Sequence, residues 1–187
     1  METKQNTVAR TLHDLGLAAW FGGTLMGAVG LNGATRDLHD PRERTRATNA
    51  GWARWQPVNA VAVGAHLVGS GVLTYGNKSR IGAQQGVGTV AAVKTAVTAA
   101  AVAVSAYSGV LGRRIMRAEE EAAGFDVEDA TTPAPQTPPE AEAAQRQQRL
   151  LQWVVPALTG TLLVLNAKMG EQQRPLSVAR GLLKRVR

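Results

Sequence analysis

The chain has 187 residues, with 21 Lys and Arg against 14 Asp and Glu, which gives a formal net charge of +7. It contains no cysteine, and this excludes disulfides, zinc–thiolate sites, iron–sulfur clusters and thiol nucleophiles. Aromatic residues make up only 4% of the chain, fewer than a soluble core or a base-stacking RNA surface normally uses, so we expect no nucleic-acid partner.

Apolar residues are concentrated in four blocks, and the charges lie almost entirely between them. The blocks are residues 15–34, 57–76, 87–112 and 150–167. Each has about the 20 residues that a helix needs to cross about 30 Å of hydrocarbon. A soluble helix would instead show a charge every three or four positions along its outer face. The blocks therefore predict an all-α, integral membrane four-helix bundle that lies in a lipid bilayer.

The order of blocks and loops predicts five segments. They are an N-terminal segment at 1–14, three spans with short loops within 15–112, a charged helical hairpin at 113–149, a fourth span at 150–170 and a basic amphipathic tail at 171–187. Within the hairpin, the Pro/Thr-rich stretch 131–139 is expected to be neither helical nor paired in a sheet, and to form a partly disordered loop between helices 3 and 4.

Glycines recur at helical spacing in the first two blocks. Small residues three or four positions apart let helix backbones approach closely in lipid. The positions predicted to pack helices in this way are Gly16, Gly23, Gly27, Gly30 and Gly69. Trp52 and Trp55, just before block two, are predicted to anchor the chain at the membrane interface.

The first span carries a short string with a family likeness. It reads Leu12-His13-Asp14-Leu15-Gly16-Leu17-Ala18-Ala19-Trp20-Phe21-Gly22-Gly23. This string resembles the first helix of copper-resistance D-type and related uncharacterised four-helix bacterial membrane proteins, which often reads Leu-His and then Trp-hydrophobic-Gly-Gly. The resemblance implies a four-helix membrane fold, with His13 as the position most relevant to function. A composition rich in Ala, Arg and Val also indicates a high-GC bacterial source.

Two histidines define the metal and cofactor hypotheses. His66 lies near the middle of block two, about 15 Å from its end at 1.5 Å per residue, and Met26 is expected at a similar depth in an antiparallel span. A Met26–His66 pair is a candidate copper(I) site, and a hydrogen-bonded interior histidine is the alternative. His13 is expected at the membrane edge, about 15 Å from the depth of His66, so the two do not suit one haem and no cofactor is expected.

Lys94 is the one charge within the spans. Asp14 opens block one on the same side of the membrane, so an Asp14–Lys94 pair is the expected polar contact, as a structural clamp or a proton-handling couple. Further interior polar positions follow from the helical stripes of the blocks. These functional or structural polar contacts are His13, Asp14, Lys94, Thr98, Thr159 and Asn166.

Charge counting leaves the orientation undecided, since each side of a four-span chain carries ten Lys and Arg. The tail favours one side: its apolar residues share a helical face lined by basic residues, as suits an anionic cytoplasmic leaflet. We therefore expect a bacterial inner (plasma) membrane protein with both termini in the cytoplasm.

No enzyme motif is present in the sequence. The preferred interpretation is an accessory or scaffold subunit that docks a protein partner or forms a homo-oligomer. The alternative is a carrier of a small solute or of a metal such as copper, which would use the weakly polar interior of the bundle.

Overall fold

The computed structural model describes residues 7–78 and 87–172. The first helix, α1 (Thr7–Met26), continues through a π-helical turn at Gly27–Leu31, a short α-helical turn at Asn32–Ala34 and a 3₁₀ turn at Thr35–Asp37. The other elements are α2 (Pro41–Gly76), α3 (Val87–Glu121), β1 (Val127–Asp129), β2 (Thr132–Pro133) and α4 (Pro139–Gln172).

Four helices in the described part of the chain are long and apolar enough to cross a membrane, with apolar windows of mean hydropathy 1.2 to 1.6. The predicted all-α membrane bundle is thereby confirmed. The helices are longer than the apolar blocks: α2 has 36 residues. At 1.5 Å per residue it is about 54 Å long, whereas the hydrocarbon core is about 30 Å thick. The chain is a multi-pass membrane protein whose helices extend beyond the bilayer core.

The bundle consists of two helix pairs, α1 with α2 and α3 with α4, joined through α1 and α4. Contacts between α2 and α3 are few, so this side of the bundle is the loosest. The apolar core between the pairs contains Leu17, Trp20, Ala101, Val155 and Leu162. Trp20 is fully buried, and its indole N–H donates to Ser105 Oγ of α3 at 3.1 Å. This bond ties α1 to the opposite pair.

Residues 35–56 and 113–149, here called the cap, cover one end of the bundle. Asp40 accepts from the backbone N–H of Arg42 at 2.9 Å and so caps α2, whose first residue is Pro41. A second apolar core lies beneath the cap and contains Leu111, Ile115, Ala118, Phe125, Val127, Ala141 and Ala144.

The expectation that 131–139 cannot pair in a sheet was wrong. Thr132 and Pro133 form β2, which pairs antiparallel with β1. Proline can take part in this pairing because both strands of a two-stranded sheet are edge strands. The rest of the stretch is held by Thr137, whose hydroxyl donates to the Asp126 carbonyl and accepts from the Ala134 N–H, both at 2.9 Å. The predicted basic tail, from residue 173 onward, and residues 1–6 of the N-terminal segment lie outside the described residues.

Candidate functional site

Two histidines of neighbouring helices lie against each other at the end of the bundle away from the cap. His13 of α1 and His66 of α2 are both buried, with ring centroids 4.6 Å apart. Each helix carries the sequence His-x-x-Gly, from His13 to Gly16 and from His66 to Gly69. Each histidine packs beside the glycine of the other helix, so the two motifs meet reciprocally.

The two glycines allow this approach because neither helix has room for a side chain at the crossing. A Cβ on Gly16 would lie 2.5 Å from the Ala62 carbonyl oxygen and 2.6 Å from the His66 nitrogen. A Cβ on Gly69 would lie 2.5 Å from the Ala9 carbonyl oxygen. These neighbours are backbone atoms of packed helices, which cannot rotate away. The two positions therefore fix the register of α1 against α2.

This register corrects the expected depths of the histidines. The sequence places His13 at the membrane edge and His66 in mid-span, about 15 Å apart. The structure puts them at one level. Helix α2 begins at Pro41, well before its apolar block, and it packs along α1 in the register that brings Gly16 against His66. The two rings contact each other directly, which leaves no space for a haem between them.

A hydrogen-bonded chain runs from Asp14 through His13 to Lys94. Asp14 Oδ1 lies 2.6 Å from His13 Nδ1, and Lys94 Nζ lies 2.6 Å from His13 Nε2. A carboxylate only accepts and an ammonium only donates. His13 is therefore a neutral imidazole that donates from Nδ1 and accepts at Nε2. The expected Asp14–Lys94 pair is brought together through this imidazole rather than by direct contact.

His66 also belongs to this polar cluster. Its Nδ1 lies 3.1 Å from the His13 carbonyl oxygen, which can only accept, so Nδ1 carries the hydrogen. Its Nε2 is buried and has no hydrogen-bond partner among the described residues. The site thus contains one buried acceptor next to a carboxylate–imidazole–ammonium chain.

Lys94 lines a cavity of about 1360 Å³ to which all four helices contribute residues. Among the described residues, its charged lining side chains are Arg10, Asp14, Lys78 and Lys94, three cations against one carboxylate. Apolar residues also line it, among them Leu67, Val102 and Leu163. The cavity therefore combines cationic and hydrophobic lining.

Two further predicted polar residues line this cavity, and one does not. Thr98 is one turn beyond Lys94, and its hydroxyl donates to the Lys94 carbonyl at 2.9 Å. Asn166 of α4 also lines the cavity, and its buried Oδ1 lacks a partner within the described ranges. Thr159 lies in the core instead, where its hydroxyl donates to the Val155 carbonyl at 2.9 Å beside Pro156.

The structure does not bring Met26 and His66 together. Met26 lies ten residues beyond Gly16 along α1, about 15 Å at the helical rise. Its side chain is 61% exposed on the outer face of the bundle. Within residues 7–78 and 87–172, no group of three or more His, Asp or Glu side chains is placed to hold a metal ion.

Two of the other three predicted packing glycines accommodate tryptophan side chains rather than a second backbone. Trp55 packs against Gly23 and Trp52 against Gly27, each at a distance that excludes a Cβ. Gly30 meets only the side chain of Met26 in its own helix. The two tryptophans, expected as interfacial anchors, thus insert between α1 and α2.

Sequence reasoning missed a polar chain that joins three elements near the cap. The Trp52 indole donates to Asn32 Oδ1 at 3.0 Å, and Asn32 Nδ2 donates to Gln152 Oε1 of α4 at 2.9 Å. No sequence spacing links residues so far apart. The repeated His-x-x-Gly, by contrast, is visible in the sequence and was a usable signal for the meeting of His13 and His66.

Taken together, the fold and site define a multi-pass membrane protein with a charged polar cluster beside an inter-helix cavity. No protein-family model matches the chain, and neither a curated protein nor a solved structure matches it.

Proposed function

We propose that this protein binds and carries a small amphiphilic organic anion in the cavity beside Lys94. The observation that supports this most is the position of Lys94, which is bonded to His13 and lines a cavity of about 1360 Å³. A carboxylate or sulfonate would pair with Lys94, and the apolar part of the anion would lie against Val102 and Leu163. This role needs no enzyme chemistry.

The charges of the cavity favour an anion over a cation. Of the four charged side chains that line it within the described part of the chain, three are cationic, and the carboxylate, Asp14, is already bonded to His13. A copper ion would find few ligands here, since Lys94 occupies His13 Nε2 and Met26 lies elsewhere. Carriage of copper is therefore less well supported than carriage of an organic anion.

The hydrogen-bonded chain gives the site a means to respond to a bound anion. An anion that draws the Lys94 ammonium away from His13 would leave Nε2 without its donor and able to accept a proton. Asp14, whose side chain is 57% exposed, would then stabilise the imidazolium that forms. Binding of an anion is thereby coupled to uptake of a proton.

Binding is tested with naphthalene sulfonate, a permanently charged amphiphile, and with naphthalene methanol as its neutral analogue. We would titrate both into the protein in nanodiscs and follow alanine and threonine methyl NMR signals. Lys94→Met should weaken binding of the sulfonate by about 10- to 100-fold, the value of a charge-assisted hydrogen bond, and leave the alcohol unaffected. Thr95→Val is the matched control, since Thr95 lines the same cavity and bonds only to the Ala91 carbonyl.

Carriage is tested separately, in proteoliposomes, by protein-dependent uptake of the same sulfonate. Binding of the sulfonate without its uptake would indicate a receptor or sensor instead of a carrier. Equal affinity of wild type and Lys94→Met for the sulfonate would refute the proposed site.

A second candidate is a docking subunit, favoured by the form of the cap. The cap has its own core and a hairpin fixed to α2, where Arg44 donates to the carbonyls of Val127 and Glu128. Glu120 and Glu121 are exposed beside it. Purification in mild detergent should retain a stoichiometric partner that Glu120→Gln with Glu121→Gln releases. An unchanged, partnerless protein would argue against docking.

For its location we propose the plasma membrane of a bacterium, with both termini in the cytoplasm. The support is the composition of the chain and the basic sequence of residues 171–187.

A further inference from the structure

Three arginines at the end of α3 differ from the rest of the cap. Of the ten arginines within residues 35–56 and 113–149, seven make a hydrogen bond or ion pair, and Arg113, Arg114 and Arg117 make none with the described residues. The seven are Arg36, Arg42, Arg44, Arg46, Arg54, Arg146 and Arg149. The other three are exposed.

These three arginines share one face of α3. At 3.6 residues per turn, positions 113, 114 and 117 fall within an arc of about 100°. They follow directly on the apolar block that ends at Gly112, so they stand where the helix leaves the hydrocarbon. Phosphate groups of the lipid lie at this level.

The surface beside them has a recess. Arg113 lines a cavity of about 160 Å³ between α2, α3 and α4. The amide side chains of Gln56 and Gln148 line the same cavity. Arg113 therefore faces a recess that contains amide groups from both helix pairs, of which Gln148 already donates to the Ser108 carbonyl at 2.7 Å.

We propose that Arg113, Arg114 and Arg117 bind the phosphate of an anionic phospholipid such as phosphatidylglycerol. Guanidinium groups bind phosphate through paired hydrogen bonds, and none of these three forms an ion pair with a carboxylate of the described residues, Glu120 and Glu121 of the same helix included. A zwitterionic lipid would bring a cationic amine into the same group of arginines and bind less well. The inference does not depend on the ligand proposed for Lys94.

Native mass spectrometry tests this with protein extracted from mixed phosphatidylglycerol and phosphatidylcholine bilayers. Wild type should retain phosphatidylglycerol preferentially. The triple variant R113Q/R114Q/R117Q should lose that preference, with affinity lower by about 100-fold if each arginine contributes about fivefold. The matched control is R42Q/R46Q/R146Q, which removes three exposed cap arginines that already have acidic partners, and it should behave as wild type.

A second measurement requires no variant. Phosphatidylglycerol with a spin-labelled headgroup should broaden the amide signals of residues 113–117 more than spin-labelled phosphatidylcholine does. Equal broadening by the two lipids, or equal retention of phosphatidylglycerol by the two triple variants, would overturn the proposal. Binding of an acidic protein segment in place of lipid would also overturn it.

Discussion

His13 and His66 pack ring against ring, 4.6 Å apart, although 53 residues separate them in the chain. Each lies beside a glycine three residues beyond the other histidine, so one short sequence used twice sets the crossing of α1 and α2. The same contact orients His13 between Asp14 and Lys94. Helix packing and the polar site are therefore consequences of one arrangement.

Alanine at either crossing glycine should destabilise the bundle. Gly16→Ala and Gly69→Ala each place a Cβ 2.5 Å from a backbone oxygen, so the helices must separate, at a cost of roughly 1–3 kcal/mol. Thermal unfolding in detergent measures the loss. Gly22→Ala and Gly64→Ala are the controls, because a Cβ there meets nothing within 4 Å. Equal effects at all four positions would show that the crossing is not closely packed.

The imidazole of His13 should exist as a single tautomer, protonated at Nδ1. The carboxylate of Asp14 and the ammonium of Lys94 leave no other arrangement. Side-chain ¹⁵N NMR reports this directly, with His39, which is exposed, as an averaged reference. Asp14→Asn should shift the His13 signals towards a mixture of tautomers. In the wild type, a His13 spectrum like that of His39 would contradict the proposed hydrogen bonds of His13 with Asp14 and Lys94.

The cap should become less stable as the pH falls, in part through Asp129. Burial alone would raise the pKa of Asp129, but the Thr131 N–H, the Thr132 hydroxyl and the Arg36 charge outweigh it, and the pKa lies below its usual value. A lowered folded-state pKa gives stability that is complete above the unfolded pKa and is lost as the pH falls through the folded pKa.

Asp129→Asn should therefore speed hydrogen exchange in the hairpin at neutral pH, with a loss of about 1 kcal/mol, and the difference from wild type should vanish in strong acid. Asp37→Asn is the control, since Asp37 is exposed and forms no bond with the described residues. A constant difference between Asp129→Asn and wild type across the pH range would exclude the charge of Asp129 as the cause.

The polar chain from Trp52 to Gln152 should couple α2 to α4 through Asn32. Asn32→Leu removes both hydrogen bonds and leaves the Trp52 N–H and the Gln152 carbonyl unpaired, at a cost of roughly 1–2 kcal/mol. A double-mutant cycle with Gln152→Leu measures the coupling by thermal unfolding. Strictly additive losses would show that the two amides act independently.

The spans could be predicted from the sequence, but the register between them could not. An apolar block marks what crosses the hydrocarbon, and all four blocks lie within helices. It does not show how far the helix continues outside: α2 starts at Pro41, and that extension brings His66 level with His13. The difference in depth between His13 and His66, estimated from their positions in the two blocks, was therefore wrong by about 15 Å, which is ten residues at the helical rise.

The site was predictable only in part, for a related reason. Lys94, Asp14 and His13 were recognisable because charged groups near a span are costly and rare. The interposed imidazole depends on which face of α1 meets α3, and this is set by the glycine crossing and by Trp20 bonding to Ser105. The short β2 strand was missed because its pairing depends on the tertiary contacts of the cap with α2 and α4.

The most direct test is cysteine labelling in the cavity beside Lys94. Because the chain contains no cysteine, an introduced thiol is its single site of reaction. Thr98→Cys places a single thiol on the cavity wall, and Thr161→Cys places one on the exposed face of α4. In proteoliposomes, a membrane-impermeant methanethiosulfonate should label Thr98→Cys but not Thr161→Cys, and naphthalene sulfonate should protect Thr98→Cys. An unlabelled Thr98→Cys, or labelling that the sulfonate leaves unchanged, would contradict an anion-binding cavity at this site.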